Sequence, residues 1–354
     1  MNIAIVGYGI RGQKMAKLTV KNFDKYHIYA ICDIDEKKLA QGSLDYPDAK
    51  IYKTFQQMIA DPSIDVLFVE TPAPFHTEFV IAALNRDIHV LSDVPAVDTY
   101  TEAEQLWHAH LNCNSIYMMQ ATTNMYGYIA EAEKMYKAGL FGEPYYIEAE
   151  YIHNLSELFG ETPWRENYEN IKYSTHCLGP SLKFMQEELV TVSCFDTGSH
   201  VDRIAGRHDA MVAIFKTHSG IVLKLLVSFI NHCPAHGQSY RFYFTEGYFE
   251  RTHNIAGENS GTSLYYTPHL HQDKKLYEME VGEQLPHNQD KKNLGNHGGA
   301  NYELLRRFFH AIENKLPSPI SLQESLRMTI PGIFAAESAQ KDGSRISIRY
   351  PWND

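Results

Sequence analysis

Three glycines, Gly7, Gly9 and Gly12, and an aspartate at position 33 form the pattern in this chain best suited to hold a reactive group. The chain opens Met1-Asn-Ile-Ala-Ile-Val6, turns through Gly7-Tyr-Gly9-Ile10-Arg11-Gly12, and reaches Asp33 after a second apolar run, Tyr26 to Cys32. A dinucleotide needs this spacing. Gly7 permits a sharp turn after a buried strand, Gly9 lets the backbone approach a pyrophosphate, and Gly12 packs a helix closely on the strand, with the helix N-terminus facing the phosphates. Asp33 stands where a carboxylate accepts bonds from the adenosine ribose hydroxyls. Asp35 follows with no arginine beside it, and a 2′-phosphate would meet both acids unpaired, so NAD is favoured over NADP. Lys37 and Lys38 lie a few residues on and keep NADP open as the lesser alternative. A glycine turn of an α/β protein that binds nothing is the plain reading of the same residues.

The elements that must position this turn can be read from hydrophobic periodicity. Strand and helix signals alternate to about residue 120: a helix over 13–21, a strand over 65–70, a helix over 76–85, a strand over 88–91, a helix over 101–111 and a strand over 115–119. That rhythm predicts a doubly wound parallel sheet over residues 1–121. From about 145 strand-like runs follow one another, at 145–152, 210–215, 221–230 and 240–245, which predicts a mostly antiparallel sheet in a second α/β domain over 122–354. Polar Gly/Asn-rich stretches at 257–261 and 283–299 read as loops, two helices are expected over 302–312 and 322–340, and a last strand over 345–349.

Composition narrows the partners. The 354 residues suit two domains, and 32 basic against 43 acidic side chains leave a net charge of −11, which repels nucleic acid and anionic membrane and favours small molecules. No run reaches the apolar length of a membrane helix. The chain starts at its first strand with no room for a signal peptide, and its five cysteines are odd in number without C-x-x-C spacing. Reduced thiols in a cytoplasmic protein are expected. The eighteen histidines show no metal-binding spacing, so no metal is expected.

Further motifs resemble a known family. Thr71-Pro72-Ala-Pro-Phe-His76, the Ala83 to Leu91 run and Asp93-Val94-Pro95 are similar to the T-P-x-x-x-H and E-K-P signatures of the Gfo/Idh/MocA oxidoreductases. That resemblance implies an N-terminal Rossmann domain, a C-terminal domain whose open sheet makes homodimers or homotetramers, and hydride transfer between NAD(P) and a sugar or cyclitol hydroxyl. With the fingerprint it implies cofactor contacts at Gly7, Gly9, Ile10, Arg11, Gly12, Asp33, Thr71, Pro72, His76, Asp93, Pro95 and Asn124. His76 is expected to cap a helix near the nicotinamide.

The departures are informative. Val94 replaces the lysine of E-K-P, which positions substrate and shuttles its proton, and Lys172 stands where ordinary members have an aspartate four residues before His176. Tyr173-Ser-Thr-His176-Cys-Leu-Gly-Pro180, with Glu148-Ala-Glu-Tyr-Ile-His153, Trp164-Arg165 and His297-Gly-Gly299, resembles instead the NAD-dependent glycosidases of glycoside hydrolase family 109. Such an enzyme oxidises the sugar C3, loses the C2 proton and the C1 substituent, adds water and reduces C3 again, with no net redox change. It requires bases, an acid and a retained NAD. The resemblance offers His176, Tyr173 and Glu148 for proton work, with Lys172 as a substitute for the lost lysine. An ordinary sugar or cyclitol dehydrogenase with a relocated relay, and a non-catalytic NAD-binding sensor or assembly protein, remain open beside it.

Overall fold

In the computed structural model, which describes residues 1–233, 237–253, 261–267, 277–279 and 299–353, the chain divides into two compact units. The first comprises Met1–Ala121 with Asn301–Leu326, the second Thr122–Ala300 with Arg327–Asp354. Asn301–Leu326 thus clusters with the first unit, although the expected second domain ran unbroken from 122 to 354.

The first unit alternates β1 (Asn2–Val6), α1 (Ile10–Asn22), β2 (His27–Cys32), α2 (Glu36–Asp45), β3 (Lys50–Tyr52), α3 (Phe55–Ile59), β4 (Val66–Val69), α4 (His76–Leu84), β5 (His89–Ser92), α5 (Tyr100–Leu111) and β6 (Tyr117–Met119). Every strand pair is parallel, in the order β3-β2-β1-β4-β5-β6. Continuous apolar runs become central strands because helices cover both faces: β4 is buried at every position, as is β1 from Ile3 onward. The strand order reverses between β1 and β4, and ligands of such sheets bind outside the carboxyl ends of the strands at that point.

The second unit contains α6 (Gly127–Lys137), β7 (Pro144–Ile152), α7 (Thr175–Leu182), β8 (Leu189–Asp196), β9 (Ala210–Thr217), β10 (Val222–Ser228), β11 (Gly237–Phe244), β12 (Tyr248–His253), β13 (Gly261–Tyr266) and β14 (Tyr277–Met279). After α8 (Ala300–Asn314) and α9 (Leu322–Gln340), β15 (Ile346–Ser347) completes a nine-stranded sheet in the order β14-β13-β12-β11-β7-β10-β9-β8-β15. Among the described residues only β7 and β10 pair in parallel; the other seven ladders are antiparallel. Alternation sorts the side chains of β7, with Ile147, Ala149 and Tyr151 buried and Glu148 and Glu150 on the opposite, less buried face. Of the loops expected over 257–261 and 283–299, residues 257–260 and 283–298 lie outside the described residues, as does His297, while Gly261 opens β13.

α8 belongs to the first unit because its apolar side chains complete that core. Phe309 stacks on Tyr26 at 3.7 Å between ring centroids and meets Phe23 edge-on at 5.0 Å. Tyr302 stacks on Phe23 at 5.5 Å, and the Tyr26 hydroxyl donates to Glu313 at 3.2 Å.

Candidate functional site

The glycine turn is built as the spacing requires. Gly7 has φ +90°, and a Cβ there would stand 2.6 Å from the Glu70 carbonyl oxygen at the end of β4. A Cβ on Gly12 would strike the Gly7 carbonyl oxygen. Gly9, the N-cap of α1, differs: a Cβ there would meet only the Lys38 ammonium, at 3.9 Å. Gly9 therefore presents bare backbone and uncapped helical N–H groups to open space, which fits a pyrophosphate. Ile10 and Arg11 form the first turn of α1 behind it.

Asp33, 7 % exposed, accepts from the Tyr8 N–H at 2.7 Å and the Asp35 N–H at 2.9 Å. It braces the glycine turn and keeps lone pairs for ribose hydroxyls, since a carboxylate has about four acceptor sites. Asp35 caps α2 through the Lys37 N–H.

Arg11 anchors a second group of expected contacts. Its guanidinium donates to Gln120 at 2.5 Å and Asn301 at 3.0 Å, and its Nε lies 3.7 Å from Asp93 and 3.8 Å from Glu70. Gln120 donates to Glu70 at 2.5 Å. Burial pushes the Glu70 carboxyl up to about 8; the Asp93 charge adds to the rise, while Arg11 and Gln120 offset part of it. His76 opens α4, and its ring nitrogens lie 2.8 Å from the Thr71 and Pro95 carbonyl oxygens. It ties the loop after β4, which carries Thr71 and Pro72, to the loop after β5. Val94 in that second loop is 4 % exposed.

In the second unit Tyr151 is the hub of an aromatic cluster. The His176 imidazole stacks on it at 5.1 Å with 12° between planes, and His153 stacks on it at 4.3 Å. Tyr173 meets His176 edge-on at 5.0 Å and Tyr151 at 5.6 Å. The Arg165 guanidinium lies over Trp164 at 4.4 Å and over Tyr173 at 5.7 Å. His176 sits in the first turn of α7, whose carbonyl at that residue accepts from the Tyr240 hydroxyl at 2.7 Å. The preceding turn is seated on α9: Ser174 donates to the Met328 carbonyl at 3.1 Å, and a Cβ on Gly332 would meet Ser174 Oγ at 2.7 Å and the Ile171 carbonyl oxygen at 2.8 Å. The cluster places an imidazole and a phenol, two side chains that can exchange protons with a substrate, side by side, and flat rings suit the C–H face of a sugar.

Not every expected residue joins this cluster. Lys172 pairs with Glu169 at 3.0 Å, next in sequence to Tyr173 but engaged elsewhere. Glu148 lies on the sheet face opposite Tyr151, where Tyr146 donates to it at 2.6 Å and Lys224 and Arg241 lie at 3.5 and 3.4 Å. The Tyr146 hydroxyl first, then the two cations, hold its carboxyl below the usual range. Strand alternation separates it from His176. Asn124 packs against α7, its amide filling the space where a Cβ on Gly179 would go, with Nδ2 3.6 Å from Met328 Sδ. Tyr151 escaped the reading by motif, although its parity with Ile147 and Ala149 in β7 marks it as inward-facing. Glu70 escaped too, its signal being only that it follows a buried strand. No group of three His, Cys, Asp or Glu side chains gathers as a metal site among the described residues.

Residues 1–120 match the Gfo/Idh/MocA family, described as an oxidoreductase family with an NAD-binding Rossmann fold. Over nearly the whole chain there is similarity to proteins named glycosyl hydrolase family 109 protein. That of Solibacter usitatus is 25 % identical, covering 97 % of this chain and 86 % of its own; that of Shewanella pealeana is 23 % identical, covering 99 % and 85 %. Among solved structures, levoglucosan dehydrogenase in complex with NADH and L-sorbose superposes with a TM-score of 0.80 at 15 % identity, covering 99 % of this chain and 100 % of that one. Myo-inositol 2-dehydrogenase from Lactobacillus plantarum gives 0.79 at 16 %, covering 99 % of each chain. At such identity these two establish the shared fold. The chain is an NAD-dependent enzyme whose first 120 residues match the model of an NAD-binding Rossmann fold.

Proposed function

We propose that this enzyme acts on a sugar or glycoside at a ring carbon bearing a hydroxyl, and that its net reaction is redox-neutral cleavage of a glycosidic bond. The observation that carries the reading is a substitution with its counterpart: buried Val94 stands where the family's proton-shuttling lysine would be, while His176 and Tyr173 meet on the Tyr151 ring. NAD held by the glycine turn and Asp33 would supply a reversible hydride acceptor for the sugar C3. His176 accepts the proton of the C3 hydroxyl and Tyr173 serves the neighbouring proton transfers at C2 and the leaving oxygen. Trp164 and Arg165 orient the ring, and Gly9, Arg11 and Asp33 retain the cofactor between turnovers. The relatives named for glycosyl hydrolase family 109 support this reading.

Turnover of an aryl glycoside without added cofactor, in deuterated water, tests it. Deuterium should enter C2, because elimination passes through a C2 carbanion or enolate, and His176→Ala should cut turnover by roughly 10²–10⁴ without loosening NAD. Stoichiometric NADH with no deuterium at C2 would eliminate cleavage and leave a plain sugar dehydrogenase.

The reading also has the protein working in the cytoplasm as a homodimer or homotetramer. The face of the nine-stranded sheet bearing Tyr146, Glu148, Arg241 and Tyr243 is its self-association surface. Light scattering that returns a monomer at micromolar concentration would remove this part.

A further inference from the structure

Three neighbouring strands, β4, β5 and β6, run directly into Glu70, Asp93 and Gln120 at their carboxyl ends. Arg11 reaches this row from α1 and Asn301 from α8. The guanidinium Nε is 3.8 Å from Glu70 Oε2 and 3.7 Å from Asp93 Oδ1, while its two terminal nitrogens donate to Asn301 and Gln120. Gln120 donates in turn to Glu70 Oε1, and the Glu70 side chain is wholly buried. His76, on α4, directs its ring at the Thr71 and Pro95 carbonyls. One guanidinium thus faces two carboxylates. With both ionised the group carries a net negative charge around the buried Glu70 side chain; with one proton it is neutral. Burial and then the Asp93 charge raise the Glu70 carboxyl, which favours the state that carries one proton.

Topology says which half of the dinucleotide meets this row. The phosphates belong at the α1 N-terminus and the adenosine on the β2 side at Asp33, so the nicotinamide half extends toward β4, β5 and β6. The nicotinamide ring is positive in NAD⁺ and neutral in NADH, whereas the phosphates are common to both. A positive charge nearby favours the ionised carboxyl.

We propose that Glu70, beside Asp93 and under Arg11, holds a proton, that NAD⁺ displaces it while NADH does not, and that this carboxyl thereby sets the preference of the site for the oxidised cofactor. The protonated protein and NAD⁺ give the complex and a free proton; the NADH complex keeps the proton. Glu70 and Asp93 are in this sense determinants of which oxidation state is retained. The inference rests on the NAD-binding assignment and not on the identity of the sugar.

Calorimetric titration of the cofactor-stripped full-length protein near pH 7, in buffers of different ionisation enthalpy, reads the proton directly. Release approaching one proton is expected with NAD⁺ and none with NADH, and the ratio of NADH to NAD⁺ dissociation constants should rise with pH, by at most about tenfold per unit for a single proton. Glu70→Gln should abolish the release and flatten the ratio while still binding NADH. Equal proton counts for the two nucleotides in the unaltered protein, or release that persists in Glu70→Gln, overturns the proposal. If that variant does not fold, the comparison of NAD⁺ with NADH in the unaltered protein decides alone. Binding of neither nucleotide would overturn the cofactor assignment and this proposal with it.

Discussion

At the scale of single residues, Gly7 and Gly9 are two positions apart and answer to opposite demands. Gly7 is required by the fold, since its φ of +90° and the 2.6 Å approach to the Glu70 carbonyl leave no place for a side chain. Gly9 meets no such demand from the fold, for only the Lys38 ammonium stands within reach of its missing Cβ, and the proposed cofactor contact is what requires a glycine there. Gly9→Val should therefore remove NAD binding from titration calorimetry while costing the free protein only about 1 kcal/mol, the scale of a poorer helix cap. Gly7→Ala should cost about 1–3 kcal/mol through backbone strain before any ligand is added. Unchanged NAD affinity in Gly9→Val would show that the phosphates lie elsewhere. The glycine roles were legible in the sequence because each is a property of the local backbone. The partners of Arg11 were not: Glu70, Asp93 and Gln120 come from three separate stretches that the parallel order of the strands brings together, and Asn301 arrives on α8.

At the scale of elements, β7 shows why a motif read as a string assigns too much. Glu148 and Tyr151 fall in one short stretch, yet odd and even positions of a strand face opposite ways, so Tyr151 supports His176 and Glu148 joins Tyr146, Lys224 and Arg241. Strand parity was available from the sequence. The direction that mattered was not, because it depends on which face α7 covers. The turn before α7 is equally dependent on a remote element, since α9 approaches it through Gly332. Gly332→Ala should lower stability by about 1–3 kcal/mol, the cost of overpacking against backbone, and should displace the turn that carries Tyr173 and His176. Denaturant unfolding reads the first effect and turnover the second, with NAD affinity unchanged. A variant with unaltered stability and turnover would show that the turn has room the geometry denies.

At the scale of the molecule, the NAD-binding unit is discontinuous in sequence, closed by residues that return after every strand of the second sheet but β15. Periodicity anticipated α8 as a helix but not its destination, because an amphipathic stripe records that a face is buried and not against what. The destination is written in the aromatic contacts of Phe309, stacked on Tyr26 and Phe68 and edge-on to Phe23. A single truncation there should act on the cofactor-binding unit although the residue lies far from the fingerprint. Phe309→Ala should cost about 3–5 kcal/mol, the range for emptying a buried aromatic site. Ligand bound only to the folded unit stabilises it by mass action, so NAD at about a hundred times its dissociation constant should restore about 2.7 kcal/mol. Scanning calorimetry with and without NAD separates the cases: the transition that NAD raises should be the one that Phe309→Ala lowers. If the substitution instead weakens a transition that NAD leaves in place, α8 does not hold the NAD-binding core together.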